Sequence, residues 1–410
     1  MPKKERIVGV DLGTTKIAVI IAEVDDNDLK IVGVGTTPSF GLKRGVIVNL
    51  EKAVNSIKKA ADEASRMAGF KIDSCYAGIS GAHVESMNAH AMIATSRTGG
   101  VISKRDIERV IEQARAIALP LDREIIHAIP IEYIVDNEKG IKDPVGMSGV
   151  KLEAEVHIVT AAITSAQNIY TAVERAGLRV KDLVLQPLAS SYAVLQPDEI
   201  DLGVCLLDIG GGTTDLAIFY DGSIRHSEVI ALGGEYITND IAIGIRTPYK
   251  QAEGIKKKYS SLTITPEDKT EQVKVPGIGG REDRDITKET LYSIVKPRVE
   301  EIFMITNKAI EKSGFYDVLA AGVVITGGTA RLTGLAQLAE EIFNLPVKIG
   351  IPKEIGGLTD IVLDPIYATG VGLILYGFEN KNQTLIRRTK GVGVFDALKK
   401  RFEDWLAKYF

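Results

Sequence analysis

Polar positions interrupt the apolar runs of this chain in a pattern that occurs twice. Residues 7–21 read IVGVDLGTTKIAVII and residues 204–220 read VCLLDIGGGTTDLAIFY. In each, an apolar run closes on an Asp, passes through glycine and a Thr-Thr pair, and resumes as a second apolar run. Continuous apolar runs bounded by Gly and Thr predict strands buried on both faces, joined by a tight bend. A polar turn (residues 25–28 and 221–222), a third strand and a helix follow both copies. Asp11 and Asp208 lie 197 residues apart, and self-similarity on that scale predicts a duplicated domain.

Elsewhere the polar positions punctuate helices. Asn49 is placed to cap a helix running to about residue 68, with Val54, Ile57, Ala61 and Ala64 on one face and Gly69 as its stop. Thr164 or Ser165 opens another helix, which Gly177 ends. Strands alternating with helices predict sheets covered on both faces. Residues 83–163 break the repeat. They predict a helix over 103–119, then strands over 124–135 and 152–163 around a Gly/Pro/Lys-rich turn, and hence an inserted α+β module. Residues 260–285 are polar and hold Pro266, Pro276 and Gly277, which predicts loops or an exposed hairpin. Past Gly377 the composition turns to Asn, Lys, Gln, Thr and Arg, as in a linker. Behind it, Phe395, Leu398, Phe402, Trp405, Leu406 and Tyr409 fall on one helical face and charged residues on the rest. Such a helix reads as a membrane-surface anchor or, alternatively, as a helix docked on its own body.

Composition narrows the function classes. A chain of 410 residues exceeds what one hydrophobic core holds, so at least two domains are expected. The net charge of −4 gives the molecule no bulk attraction to nucleic acid. Residues 381–410 hold eight Lys and Arg against three Asp and Glu, and a basic tail on an acidic body suggests a partner of its own, such as anionic lipid. The two cysteines, Cys75 and Cys205, lack metal-ligand spacing and fit a reducing cytosol. The first apolar run carries Asp11 and Lys16, unlike a secretion signal, and no window approaches ~20 consecutive apolar residues. A soluble cytoplasmic protein is expected.

The candidate chemistry lies in the bends. Backbone N–H groups of a Gly/Thr bend converge on a phosphate without side chains in the way. Asp11 and Asp208 at the bends, with Asp215 ending the second loop, suit Mg²⁺ held through water. One such bend alone reads better as a plain hairpin; two at duplicate positions favour a pair that grips a triphosphate. The run VVITGGTARLTGL, residues 323–335, predicts a strand, a Gly-Gly turn and a helix, which either approaches a ligand or is a tight turn only. In EGIKKKYS, residues 253–260, Glu253, Lys256, Lys257 and Ser260 share a helix face, whether at a ligand or as a solvated charged face. Gln186 and Pro187 precede a helix over 188–195.

The ordered set DLGTT, LQPLASSYAV, DIGGGTTD, LGGE, AEGIKKKYS, ITGGTARLTGL and DPIYATGVGL resembles the ATPase motifs of the actin and DnaK-type chaperone superfamily. Within it, GLKRGVIVNLEKA, the inserted module and the amphipathic C-terminus are most similar to the FtsA family of bacterial cell-division proteins. The resemblance spans essentially the whole chain. It implies an α/β fold of duplicated ribonuclease-H-like (actin-like) halves around a nucleotide cleft. The first half would comprise residues 1–82, 164–198 and 362–380, with the inserted module at 83–163. The second half would comprise 199–228 and 300–361, with a subdomain at 229–299; a linker and membrane-targeting helix would fill 381–410.

The same resemblance implies site roles. Gly13, Thr14 and Thr15, with Gly210, Gly211, Gly212 and Thr213, would hold the phosphates of ATP. Glu253, Lys256 and Lys257 would flank the adenosine, Gly327, Gly328 and Arg331 its other side, and Gly233 and Gly234 the ribose. Lys16 departs from the chaperones and either touches phosphate or lines the hairpin. Gln186 stands where the chaperones carry a catalytic carboxylate; an amide orients water but accepts no proton, so hydrolysis would be slow and ATP chiefly a polymerisation ligand. The helix over 287–313, with Lys288, Lys296, Arg298 and Lys308 available beside a basic loop containing Arg281 and Arg284, would receive the C-terminal peptide of the tubulin-like FtsZ. The implied role is a filament-forming adaptor on the cytoplasmic face of the membrane at the division site. A pilus-assembly adaptor and a small-molecule kinase of the same fold are the alternatives.

Overall fold

The computed structural model describes residues 5–25, 28–95, 100–277, 279 and 281–388, with side chains to residue 380. The two apolar repeats form hairpins, and each opens a sheet. In the first sheet, strands Glu5–Leu12, Lys16–Asp25 and Asp28–Pro38 pair antiparallel. On its other side the first strand pairs parallel with Ser74–Ile79, which pairs parallel with Arg179–Leu185. In the second sheet, Val204–Ile209, Thr214–Tyr220 and Ser223–Ile230 are antiparallel, and Val323–Thr326 and Val347–Ile349 add in parallel beyond the first strand. Both sheets thus run third, second, first, fourth, fifth in their own chain order. A two-residue strand, Gly356–Gly357, extends the first sheet.

Helices cover the sheets as the apolar periodicity requires. Leu50–Ala68 is capped by the Asn49 side chain, which accepts from Lys52 N, and ends at Gly69 with φ 79. Its buried face of Ala53, Val54, Ile57, Ala60, Ala61 and Ala64 packs on the first sheet. Between the two sheets, helices Gln186–Val194 and Ala368–Arg388 cross closely. A Cβ on Gly372 would stand 1.8 Å from the Ala189 carbonyl oxygen, so only glycine permits this contact. Residues of both halves, among them Ile7, Ile20, Leu206, Phe219, Val324, Val371 and Ile374, share one core there.

Between the fourth strand of the first half and the helix Ile163–Arg175 lies a separate antiparallel sheet. Its strands are Val84–Ala94, Lys151–Ala162, Arg123–Val135 and Glu138–Ile141, in that order, with helix Lys104–Arg115 closing its own core.

Four expectations differ from the structure. The helix expected over 103–119 stops at Arg115, where Ala116 leaves the helical region at ψ 39; Pro120 bars the helix only from residue 119 on. Strand Val84–Ala94 was not expected; its polar and half-exposed edge hides the period-2 signal. After Gly327 and Gly328 a 3₁₀ turn, Gly328–Arg331, replaces the expected helix, and Gly334 with φ 80 reverses the chain before helix Leu335–Phe343 begins. The linker expected past Gly377 is helical through residue 388, a continuation of Ala368–Arg388. The proposed membrane residues Phe395, Leu398, Phe402, Trp405, Leu406 and Tyr409 lie outside the described residues.

Candidate nucleotide-binding site

The hairpin bends meet tip to tip. A Cβ on Gly211 would stand 2.4 Å from Thr15 Cγ2, and one on Gly212 would stand 2.5 Å from Thr14 Oγ1. The bends therefore interlock only because the second is built of glycine. Asp11 and Asp208 lie within the strands, one residue short of their ends, rather than at the bends themselves. Asp208 faces Asp215 across the hairpin. Both are buried, and each takes two hydroxyl donors. Ser190 Oγ and Thr369 Oγ1 donate to Asp208 Oδ2 at 2.6 and 3.0 Å. Ser80 Oγ donates to Asp215 Oδ1, and Thr213 Oγ1 to Asp215 Oδ2 at 3.0 Å.

Burial, and then the neighbouring Asp11, raise the Asp208 carboxyl against the help of its hydroxyl donors. Burial, then the charge of Asp208, push Asp215 up to about 7. Lys16 lines its own hairpin, one of the two expected alternatives. Its Nζ donates to Asp11 Oδ2 at 3.2 Å and to the Ile366 carbonyl at 2.5 Å, and lies 4.7 Å from the centre of the Tyr367 ring. Two facing carboxylates disfavoured as anions form a donor set that a hard dication relieves. Among the described residues no group of three Asp, Glu, His or Cys side chains is placed to grip an ion directly.

Further elements converge on the second bend. Gly234 N donates to Gly210 O at 2.9 Å and Glu235 N to Gly211 O at 2.8 Å, so the N-terminus of helix Gly234–Gly244 caps the bend. Thr329 Oγ1 donates to the Gly210 carbonyl at 3.2 Å. Gly327, at φ 87, lies where a Cβ would stand 2.4 Å from Asp208 Oδ1, whereas Gly328 has only Ile366 nearby, at 3.8 Å. Lys256 Nζ donates to the Gly234 carbonyl at 2.9 Å and to Thr238 Oγ1 at 2.8 Å. Lys256 and Lys257 both pair with Glu253. Burial lowers the Lys256 pKa; burial opposes the Glu253 anion too, but Lys256, Thr238 and Lys257 hold its pKa below the ordinary value. Arg331 is mostly exposed and pairs with Asp364 at 3.5 Å. Gln186 is buried as the first residue of its helix, its side chain against Gly78, where a Cβ would come within 3.1 Å.

Ser80, Ser190, Thr238 and Thr369 were missed as site residues. Their signal was a hydroxyl inside an otherwise apolar run, as in LQPLASSYAV and IYATGVGL. The expected partner surface is less available than its charges suggested. Arg298 bonds to Asp240 and Glu301, Lys288 pairs with Asp268 and Glu271, Lys296 with Glu300, and Arg284 donates to the Ile245 carbonyl. Arg281 and Lys308 are exposed.

The family model for cell division protein FtsA matches residues 205–372, and the model for the SHS2 domain inserted in FtsA matches residues 81–160. A cell division protein FtsA of Pseudomonas aeruginosa is 46% identical over 386 residues, covering 94% of this chain and 92% of that protein. The chain belongs to the FtsA family. The FtsA of Escherichia coli K12 is 39% identical over 419 residues, with 99% of each chain covered. This makes the chain a cell-division protein of the actin-like superfamily and sets aside the pilus-adaptor and kinase alternatives. Among solved structures, the PilM–PilN type IV pilus biogenesis complex superposes with a TM-score of 0.65 at 18% identity, covering 92% of this chain and 99% of that one. MreB5 of Spiroplasma citri bound to ADP superposes at 0.58 and 16%, covering 95% and 100%. At these identities the likeness shows the fold: actin-like halves with the FtsA-type insertion. No helix among the described residues is long and apolar enough to cross a membrane.

Proposed function

We propose that this FtsA-family chain binds Mg-ATP between its two hairpins, assembles into filaments and ties FtsZ to the inner face of the cytoplasmic membrane. The observation that carries the reading is the meeting of the duplicated bends, Thr14 and Thr15 against Gly211 and Gly212, beside the buried Asp208–Asp215 pair. Bound there, ATP would supply a phosphoanhydride and Mg²⁺ the positive charge that the acidic pair lacks. Gly13, Thr14 and Thr15 on one side and Gly210, Gly211, Gly212 and Thr213 on the other present backbone N–H groups to phosphate. Asp11, Asp208 and Asp215 orient the water shell of the ion. Glu253, Lys256, Gly327 and Arg331 line the nucleoside end. Gln186 holds an attacking water without accepting its proton, so turnover is slow.

The membrane part of the proposal rests on residues 395–410. An interfacial helix buries only part of each apolar side chain, of which full burial contributes roughly 1.5–3 kcal/mol, so one copy binds weakly. Many copies in a filament bind together by avidity, and polymerisation and recruitment reinforce one another. The test is co-sedimentation with anionic vesicles, with and without Mg-ATP. Wild type should pellet with vesicles as filaments in Mg-ATP, and its single Trp405 should shift to the blue. Trp405→Glu should remain in the supernatant, since an acid at this depth costs up to about 3 kcal/mol. Equal pelleting of the two proteins, without a spectral shift, would mean that the helix docks on the protein body.

A further inference from the structure

A third stretch of backbone runs between the two hairpins. The short strands Leu42–Lys43 and Val46–Ile47 pair antiparallel, and Arg44 turns the corner at φ 50. A side-chain-bearing residue in this left-handed region is strained where glycine would not be. The corner touches both hairpins. Gly45 N donates to Thr14 Oγ1 at 3.2 Å. A Cβ on Gly212 would stand 2.9 Å from Arg44 Cα and 3.0 Å from its N. A Cβ on Gly45 would stand 2.5 Å from the carbonyl oxygen of Ser80, the residue whose hydroxyl donates to Asp215.

The Arg44 side chain reaches the other half. Its guanidinium carbon lies 5.3 Å from the centre of the Tyr236 ring, in the first turn of the helix that caps the second bend. That ring is anchored from its own half, since Arg298 lies 5.7 Å from the same centre and bonds to Asp240 and Glu301. Lys43 and Arg44 also act on the neighbouring Glu235. A strained corner bearing a cation, where glycine would sit more easily, indicates that the cation is what the position requires.

We propose that Arg44 is a positioning residue that latches the cleft, its guanidinium on Tyr236 tying the first half to the second beside the interlocked bends. The proposal rests on the reading of the cleft as a nucleotide site and deepens it: the latch sets how fast nucleotide leaves. Nucleotide held between the bends leaves only when the halves part, and parting them breaks the Arg44–Tyr236 contact.

Arg44→Gly deletes the guanidinium while relieving the strain but frees the backbone of the corner, so Tyr236→Leu, which leaves that backbone unchanged, separates the lost contact from a loosened corner. Release of a fluorescent ATP analogue should be about two- to fivefold faster in Arg44→Gly, the scale of one exposed cation–π contact. Arg44→Lys should fall between it and wild type. Tyr236→Leu should match Arg44→Gly, and the double variant should be no faster than either single variant. In the nucleotide-free proteins, hydrogen exchange at residues 210–213 and 233–236 should quicken in both single variants. Wild-type release and exchange in Arg44→Gly would overturn the latch, as would additive effects in the double variant. If wild type bound no ATP analogue while Arg44→Gly and Tyr236→Leu both still quickened exchange, the latch would stand and the nucleotide reading would fall.

Discussion

The two hairpins share a backbone and differ in charge. In the first, Asp11 faces Ala18 across the strands and Lys16 donates to its carboxylate, so the bend carries its own counter-charge. In the second, Asp208 faces Asp215 and the donors are neutral hydroxyls. Lys16 and Asp215 occupy the same place in the repeat, directly after the Thr-Thr pair. Two additional residues in the second loop bring that position opposite the first aspartate. A longer loop and one change of side chain thus convert a self-neutralised bend into one whose facing carboxyls are disfavoured as anions. Duplication preserved the strand order and the close approach of backbone; electrostatic function resides in the difference.

The largest effect that separates the hairpins is on stability. The Asp215 pKa is raised from 3.8 to about 7 by burial and by Asp208, so the folded state binds this proton more tightly than the unfolded chain. Its contribution is therefore fully present below about pH 4 and is lost as pH rises towards 7, at a slope of at most about 1.4 kcal/mol per pH unit. Without divalent ions, melting temperature should fall over that window in wild type and much less in Asp215→Asn. Added Mg²⁺ should restore the wild type at pH 7.5 and leave the variant nearly unchanged. A pH profile shared by the two proteins would remove Asp215 from the cation site.

Next in size is nucleotide affinity. Asp208→Asn keeps an acceptor for Ser190 and Thr369 and removes the charge, so the fold should survive. Mg-ATP affinity should fall about 10- to 100-fold, as read by calorimetry. Lys16→Met disturbs the self-neutralised bend and should cost less. Equal losses would mean that the two hairpins do the same electrostatic work.

The most local effects concern the glycines. Gly211→Ala would press on Thr15 in the opposite bend and should cost about 1–3 kcal/mol, as overpacking does. Gly210→Ala meets only Thr213, at 3.5 Å, and should change stability by less than about 1 kcal/mol. Chemical denaturation of the two variants distinguishes an interlocked tip from an open one, because separated bends would tolerate both substitutions alike.

Much of this was legible in the chain. The repeat of apolar runs around Asp11 and Asp208 announced the hairpins, and Asn49 and Gly69 marked their helix, because strand burial, capping and left-handed stops are local matters of residue type. The edge strand Val84–Ala94 was not legible, since a strand half-exposed at an edge alternates weakly. Nor was the helical path of residues 378–388, whose polar composition reads as loop although Ala368–Arg388 continues through it.

The sequence by itself determined that two related α/β halves exist, that an α+β module interrupts the first, and which glycines and threonines stand at the bends. Only the tertiary structure decided that Ser190 and Thr369 serve Asp208, that Ser80 serves Asp215, that Lys16 is held by Asp11 and the Ile366 carbonyl, and that Arg44 reaches Tyr236. These pairs join residues up to 350 positions apart. Residue type and spacing govern what a segment does with its own backbone. Which buried hydroxyl satisfies which carboxylate depends on how two sheets close over a shared core, a choice made by packing across the whole molecule.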